Sequence, residues 1–259
     1  MPNQDLDALF LRTLARDYES DDAWAAVRDL QKLGTREVFD RAAEWCGLKQ
    51  PLKRARGADV LAQLGKTASH PKTLFVDESY RVLTELLGKE SDTLVLNSAI
   101  HALGHLDQPA AIVQIVRFAS SSEPDIRFAA AFALGCYPND EQSVSTLLAL
   151  MKDSDSDVRD WATFGLGVLG DRDSSEIREA LLQNLMDADE DVREEAMVGL
   201  AKRKDLRALT AVRNTLQETY ESPRAMEAAC YLLELEPWNA PADVDACLEA
   251  LAKQFPNHA

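Results

Sequence analysis

The sequence predicts an all-α fold, a right-handed α-solenoid of about seven helical hairpins with terminal capping helices, on three observations. An apolar triplet recurs at a near-constant spacing, Asp, Ser and Gly punctuate it where helices would start and stop, and no alternating β pattern competes with it.

The triplet is clearest in PDIRFAAAFALG (124–135), SDVRDWATFGLG (156–167) and EDVREEAMVGLA (190–201). With the aliphatic residue after Asp as position zero, Ile126, Val158 and Val192 are followed by Ala130, Ala162 and Ala196 four residues on and by Leu134, Leu166 and Leu200 eight on. Those positions share one helix face, the face to be buried. The register extends back to Val95, Ala99 and Leu103 and forward to Ala225, Ala229 and Leu233, with weaker copies ending at Gly34 and Gly65. Zero positions at 25, 56, 95, 126, 158, 192 and 225 lie 31 to 39 residues apart, the length of a helix pair with its turns.

Partner helices with their own apolar stripes fall between, at 110–119, 143–152, 175–186 and 206–217. Asp125, Asp157, Asp191 and Ser174 are placed to cap helix N-termini, and Gly34, Gly65, Gly104, Gly135 and Gly170 to mark helix ends or close approaches. A hairpin with one apolar face cannot bury it alone, so successive pairs must stack. Residues 1–259 then form a single solenoid domain: irregular repeats over 1–89, regular repeats over 90–236 and a C-terminal cap over 237–259. The amphipathic segments 5–18 and 241–255 are the capping helices, and PWNAP (237–241) breaks the chain before the second of them.

Composition narrows the function. The 44 Asp and Glu against 28 Lys and Arg leave a net charge of −16, which repels nucleic acid and anionic lipid, so neither is an expected partner. Between Asp140 and Leu200 stand 16 acids and 5 bases, so −11 of the −16 sits there; the excess fits a basic protein partner or simply solvated helix faces. Cys46, Cys136, Cys230 and Cys247 lie far apart among apolar helical residues without CxxC spacing, and are expected to be reduced core thiols. No apolar run approaches the roughly 18 residues of a membrane span. MPNQDLDALF has no basic stretch followed by an apolar one, so a cytoplasmic chain, monomeric when free, is expected.

On the second helix of each hairpin, positions two and six point away from the core: Asn97 and His101, Phe128 and Phe132, Asp160 and Phe164, Glu194 and Val198, Glu227 and Tyr231. These form the candidate partner-binding surface, with Phe128, Phe132, Phe164 and Tyr231 as anchors and Asp160, Glu194, Glu195 and Glu227 as acids facing a basic partner. The other reading stays open, in which neighbouring repeats cover the aromatics and the acids serve solubility. Trp161, toward the side of its helix, reads as packing. Arg127, Arg159 and Arg193 suit an inter-repeat ladder with Asp125, Asp157 and Asp191.

Helix pairs carrying Asp-Val-Arg, then Ala four on and Leu-Gly near the end, resemble the HEAT repeats of the PBS-lyase-like class over residues 90–236. The longer string 157–209, from DVRDWATFGLG to KRKDLRAL, is similar to a bacterial HEAT group encoded beside Rhs-type polymorphic toxins. The resemblance implies that the second helices line a concave side and that the chain is an immunity protein, silencing a basic toxin domain through the second helices of repeats three to six. The first two repeats depart from the pattern, with Asp29 and Val60 in place of the small Ala. A general protein scaffold and a bilin-lyase-like enzyme are the other functions the class offers; a HEAT-type DNA glycosylase needs a basic groove, which −16 opposes.

Catalysis is not expected. His101 and His105 are spaced to share a metal, but no third ligand is evident, Ala102 stands where a zincin carries Glu, and the His-Glu pairs of HEAT-type iron hydroxylases do not occur. GLGVLG (165–170) imitates a dinucleotide-binding loop in letters alone, inside a helical context. Neither a cofactor nor a metal is expected.

Overall fold

The computed structural model describes residues 6–14, 17–218, 222–235 and 241–256. Among them are fifteen α-helices and no strand ladder, in two compact units, residues 1–137 and 138–259. The first unit pairs α1 (Leu6–Arg12) with α2 (Asp21–Leu33), α3 (Arg36–Cys46) with α4 (Pro51–Ala62), α5 (Val76–Leu87) with α6 (Thr93–His105) and α7 (Ala111–Val116) with α8 (Pro124–Gly135). The second pairs α9 (Glu141–Leu150) with α10 (Ser156–Phe164), α11 (Ser175–Asn184) with α12 (Glu190–Lys202) and α13 (Leu209–Glu218) with α14 (Pro223–Leu233), and ends in α15 (Val244–Gln254). The expected cap segments hold α1 and α15, while the PWNAP break lies, apart from Pro241, outside the described residues. No helix among the described residues is long and apolar enough to cross a membrane.

Short polar side chains start most helices, because each helix opens with N–H groups that lack an intrahelical acceptor. Ser20, Thr35, Asp92, Asp140, Asp155, Ser174, Asp189, Ser222 and Asp243 all accept such N–H groups. Ser174 is a cap as expected, but Asp125, Asp157 and Asp191 are not. They occupy the second helical position, where a carboxylate faces the positive end of the helix dipole. Asp155 and Asp189, two residues earlier, reach the free N–H groups, and Glu123 precedes α8 without a side-chain cap.

The zero, four and eight residues of α6, α8, α10 and α12 are all at most 2% exposed, Leu166 lying just past α10. Ala225 and Ala229 of α14 are buried likewise. The register is different in α2: Ala23, Ala26, Val27 and Leu30 are buried while Leu33 is 41% exposed, since turning Val27 and Leu30 inward removes more apolar surface than the expected face would. Three cysteines are buried thiols; Cys136, just past the end of α8, is exposed, against expectation.

Second helices pack on one another in order, α4 on α6 and α6 on α8 in the first unit, α10 on α12 and α12 on α14 in the second. Small residues set their separation. A Cβ on Gly104 would lie 2.7 Å from Ala133 Cα, and one on Gly199 would lie 2.7 Å from Gly167 Cα, so backbone meets backbone at both crossings.

After Phe164, α10 runs on as a π-turn over Gly165–Leu169, so the GLGVLG string is indeed helical. Arg203, only 8% exposed, gathers the carbonyls of Leu166, Gly167, Gly170, Arg172 and Gly199 at 2.7 to 3.3 Å, and Lys202 Nζ donates to Val168 and Gly170. The expected Asp–Arg ladder takes another form. Arg159 forks onto Asp187 at 2.8 Å through both Nε and Nη2, rather than onto an Asp of an Asp-Val-Arg triplet. A second feature repeats, an arginine donating to the turn before its own helix: Arg127 to Ser121 and Ser122, Arg159 to Asp153 and Ser154, Arg193 to Asp187 and Ala188.

In the first unit the zero position of α4 is a fully buried Arg56. Its guanidinium donates to Thr13 O at 2.8 Å, Asp59 Oδ2 at 3.1 Å and Tyr18 O at 2.5 Å, and lies 3.8 Å over the Tyr18 ring. Tyr18 Oη donates to Asp59 at 2.7 Å and sits 2.7 Å from Ser98 Oγ, joining α4 to α6. Burial raises the Asp59 carboxyl to about 6 even so.

Gly199→Ala is expected to cost about 1–3 kcal/mol, because its methyl meets backbone that has no room to retreat. Urea unfolding followed by circular dichroism checks this, with Gly88→Ala, whose Cβ would meet nothing nearer than 3.5 Å, as the nearly silent control. Arg56→Met is expected to cost about 3–5 kcal/mol by stranding Asp59, and adding Asp59→Leu to recover part of that loss in the same measurement.

Candidate functional site

Each unit carries its own patch of side chains from successive second helices. In the first unit, the approach of Gly104 to Ala133 brings α6 and α8 together. The His101 ring stacks on Phe132 with centroids 4.5 Å apart and planes 14° apart; it also lies 6.0 Å from Phe128, while His105 meets Phe132 edge-on at 5.2 Å. All four are half-buried. Asn97 Nδ2 donates to Asp125 O at 3.3 Å, at the start of the neighbouring helix.

His101 Nε2 is buried with no hydrogen-bond partner. Burial, and then the neighbouring His105, push the His101 pKa down to about 4; burial and Lys66 push His105 down as well. Both rings are therefore neutral at pH 7 and present flat faces rather than charges. Among the described residues no group of three or more His, Cys, Asp or Glu is placed to hold a metal.

In the second unit, α10 supplies Asp160 and Phe164, α12 supplies Glu194 and Glu195, and α14 supplies Arg224, Glu227 and Tyr231. Arg224 is the hub, donating to Glu195 Oε1 at 2.7 Å and Glu227 Oε2 at 2.9 Å with its guanidinium 5.5 Å over the Phe164 ring. Ser222 Oγ donates to Glu194 Oε1 at 2.7 Å, and Trp161 stands edge-on to Phe164 at 5.6 Å. Asp160 Oδ1 and Glu195 Oε2 are buried and accept no hydrogen bond. Burial raises Asp160 to about 6, helped by the charges of Asp191, Asp189 and Asp157 and opposed by Arg224. Burial raises Glu195 to about 7, opposed by Arg224 and helped by Asp160 and Glu227.

Of the positions expected to point outward, all but one are half-buried, and that one is corrected. Val198 is fully buried, in a core cluster with Met197, Leu209, Val212 and Ala229, because α12 is packed by helices on more than one side and its sixth position faces a neighbour. The aromatics Phe128, Phe132, Phe164 and Tyr231 are half-buried, between the two readings held open for them. Glu195, expected to flank the surface, sits deeper than Glu194. Arg224 was not anticipated: its sequence signal is the spacing of three to Glu227, which places a lone base beside the acidic row.

Comparison with known proteins agrees with this architecture. A family model for HEAT repeats matches residues 80–167 and 145–234. Protein YibA of Escherichia coli strain K12 is 29% identical over 229 residues, covering 86% of this chain and 79% of YibA, and YibA of strain O157:H7 matches equally. The X-ray structure of the Escherichia coli YibA protein superposes with a TM-score of 0.69 at 26% identity, over 95% of this chain and 91% of that one. A crystallised engineered protein shares the fold alone, with a TM-score of 0.55 at 18% identity, over 97% of this chain and 74% of that one.

The depressed His101 pKa has a defined consequence. Below pH 6.5 the unfolded chain takes a proton on this ring that the folded chain refuses until about pH 4, so this group makes stability fall as pH drops across that window. His101→Phe, which keeps a flat ring on Phe132, is expected to lose less stability than the parent between pH 7 and pH 5, by on the order of 1–2 kcal/mol in urea unfolding.

Proposed function

The chain belongs to the HEAT-repeat family, and on that premise we propose that it is an immunity protein whose second helices bind and neutralise a basic toxin domain. The observation that carries this reading is the cluster of acids in the second unit, where Arg224 binds the buried Glu195 and the half-buried Glu227, acts through its charge on the half-buried Asp160, and has Glu194 close by on Ser222. The local charge of −11 over 140–200 supports it, since such a field speeds the encounter with a cationic partner. The likeness of 157–209 to the HEAT group encoded beside Rhs-type toxins supplies the class of partner.

Flat, half-buried aromatic side chains suit hot spots, because they add contact area at little cost in rotamer entropy. Phe164, beside the acids of the second unit, is the anchor under this reading. A binding rather than catalytic role fits the chemistry of the remaining groups. Burial pushes the thiols of Cys46 up to about 12 and of Cys247 up to about 11, away from nucleophilic thiolates, and His101 is too depressed to exchange protons near neutrality.

Titration calorimetry of the full chain against the toxin domain encoded beside it tests the reading. A saturable complex whose association slows with added salt is expected. Phe164→Ala should weaken it by more than about 2 kcal/mol while leaving the helical signal unchanged. Heats indistinguishable from dilution would refute the reading, and stable capture of a different protein complex would favour a scaffold.

A further inference from the structure

We propose that the Asp160–Glu195 pair of the second unit is a receptor for a guanidinium group, seating an arginine side chain of the protein partner beside the chain's own Arg224. The proposal rests on the partner-binding reading above and names the chemistry that part of the surface accepts.

An acidic cluster alone would not justify this; the unfilled acceptors do. Glu195 is only 8% exposed, yet its Oε2 accepts nothing, and Asp160 Oδ1 on the neighbouring helix is likewise buried without a donor. Buried carboxylate oxygens are normally satisfied, and leaving them so is costly. Arg224 fills neither of them: its hydrogen bonds go to Glu195 Oε1 and Glu227 Oε2. Apart from Arg224, the charges that act most on Asp160 are negative: Asp157 on its own helix, and Asp189 and Asp191 at the start of α12. Glu195 is faced by Arg224 and Glu227 from α14 and by Asp160 from α10. One more cation would relieve both carboxylates.

A guanidinium fits better than an ammonium or a metal ion. The two unfilled oxygens belong to neighbouring helices, α10 and α12, and a planar fork with five N–H donors serves several acceptors at once where a point charge would favour one. Phe164 already accepts the Arg224 guanidinium against its ring, and Trp161 extends that aromatic edge. A bound metal would require a convergent third ligand, and no such group occurs among the described residues.

The probe is N-acetyl-arginine amide, titrated into the ¹⁵N-labelled full chain at pH 8. Saturable shifts confined to the amides around Asp160, Trp161 and Glu195 are expected. N-acetyl-lysine amide should bind more weakly, and at pH 5.5 affinity should fall by about tenfold, since both carboxylates are then largely protonated. The isosteric double variant Asp160→Asn, Glu195→Gln should lose the saturable shifts. In the parent, independently of any variant, the probe should lower the carboxyl titration midpoints of both residues. Shifts that spread over all acidic surfaces without saturating, that persist in the double variant, or that leave both midpoints unmoved would overturn the proposal. The two readings fail separately. A toxin domain that binds parent and double variant equally removes the receptor and leaves the partner, whereas a saturable arginine site with no toxin binding removes the toxin and leaves the receptor.

Discussion

Backbone-to-backbone contact between neighbouring second helices is the constraint on which the rest of each unit depends. It exists because Gly104 faces Ala133 in one unit and Gly167 faces Gly199 in the other, so no side chain holds the helices apart. At that separation, side chains two and six residues past the apolar anchor can no longer extend into solvent independently. They press on their counterparts one repeat away, as His101 does on Phe132. The same closeness that stabilises the stack desolvates its polar residues, which is why a histidine is held neutral in one unit and two carboxylates are raised in the other.

Two buried ionic assemblies show opposite solutions to that desolvation. Around Arg56, each guanidinium nitrogen has an acceptor, and Asp59 is met by both Arg56 and Tyr18. The network is closed and ties the irregular repeats of the first unit to α6 through Ser98. Around Arg224, in contrast, acceptors outnumber donors, and two buried oxygens remain open. A closed network specifies packing; an open one leaves buried oxygens unpaired, at a cost in desolvation.

Arg203 illustrates a third use of a buried cation. The π-turn at 165–169 displaces carbonyls from regular helical bonding, and this guanidinium collects them together with the C-terminal carbonyl of Gly199. The irregular turn is thereby anchored to α12, the central second helix of its unit, and the direction in which α10 presents Asp160 and Phe164 is held.

From the sequence by itself came the repeat, its register from residue 95 onward, the hairpin count and most of the outward positions, because a period of 3.6 inside a period near 32 is a local property of residue order. Where two local solutions compete, that order does not choose. Both Asp of an Asp-x-Asp string can cap, and the helix begins wherever the earlier carboxylate reaches two N–H groups; α2 has two plausible apolar faces, and the bulk of Val27 and Leu30 decides. Only tertiary structure buried Val198, directed Arg159 to Asp187, brought Arg224 between three helices and left two carboxylate oxygens without donors. Each of those outcomes depends on which residues of a different repeat stand opposite, and that is set by how closely small residues let the helices approach.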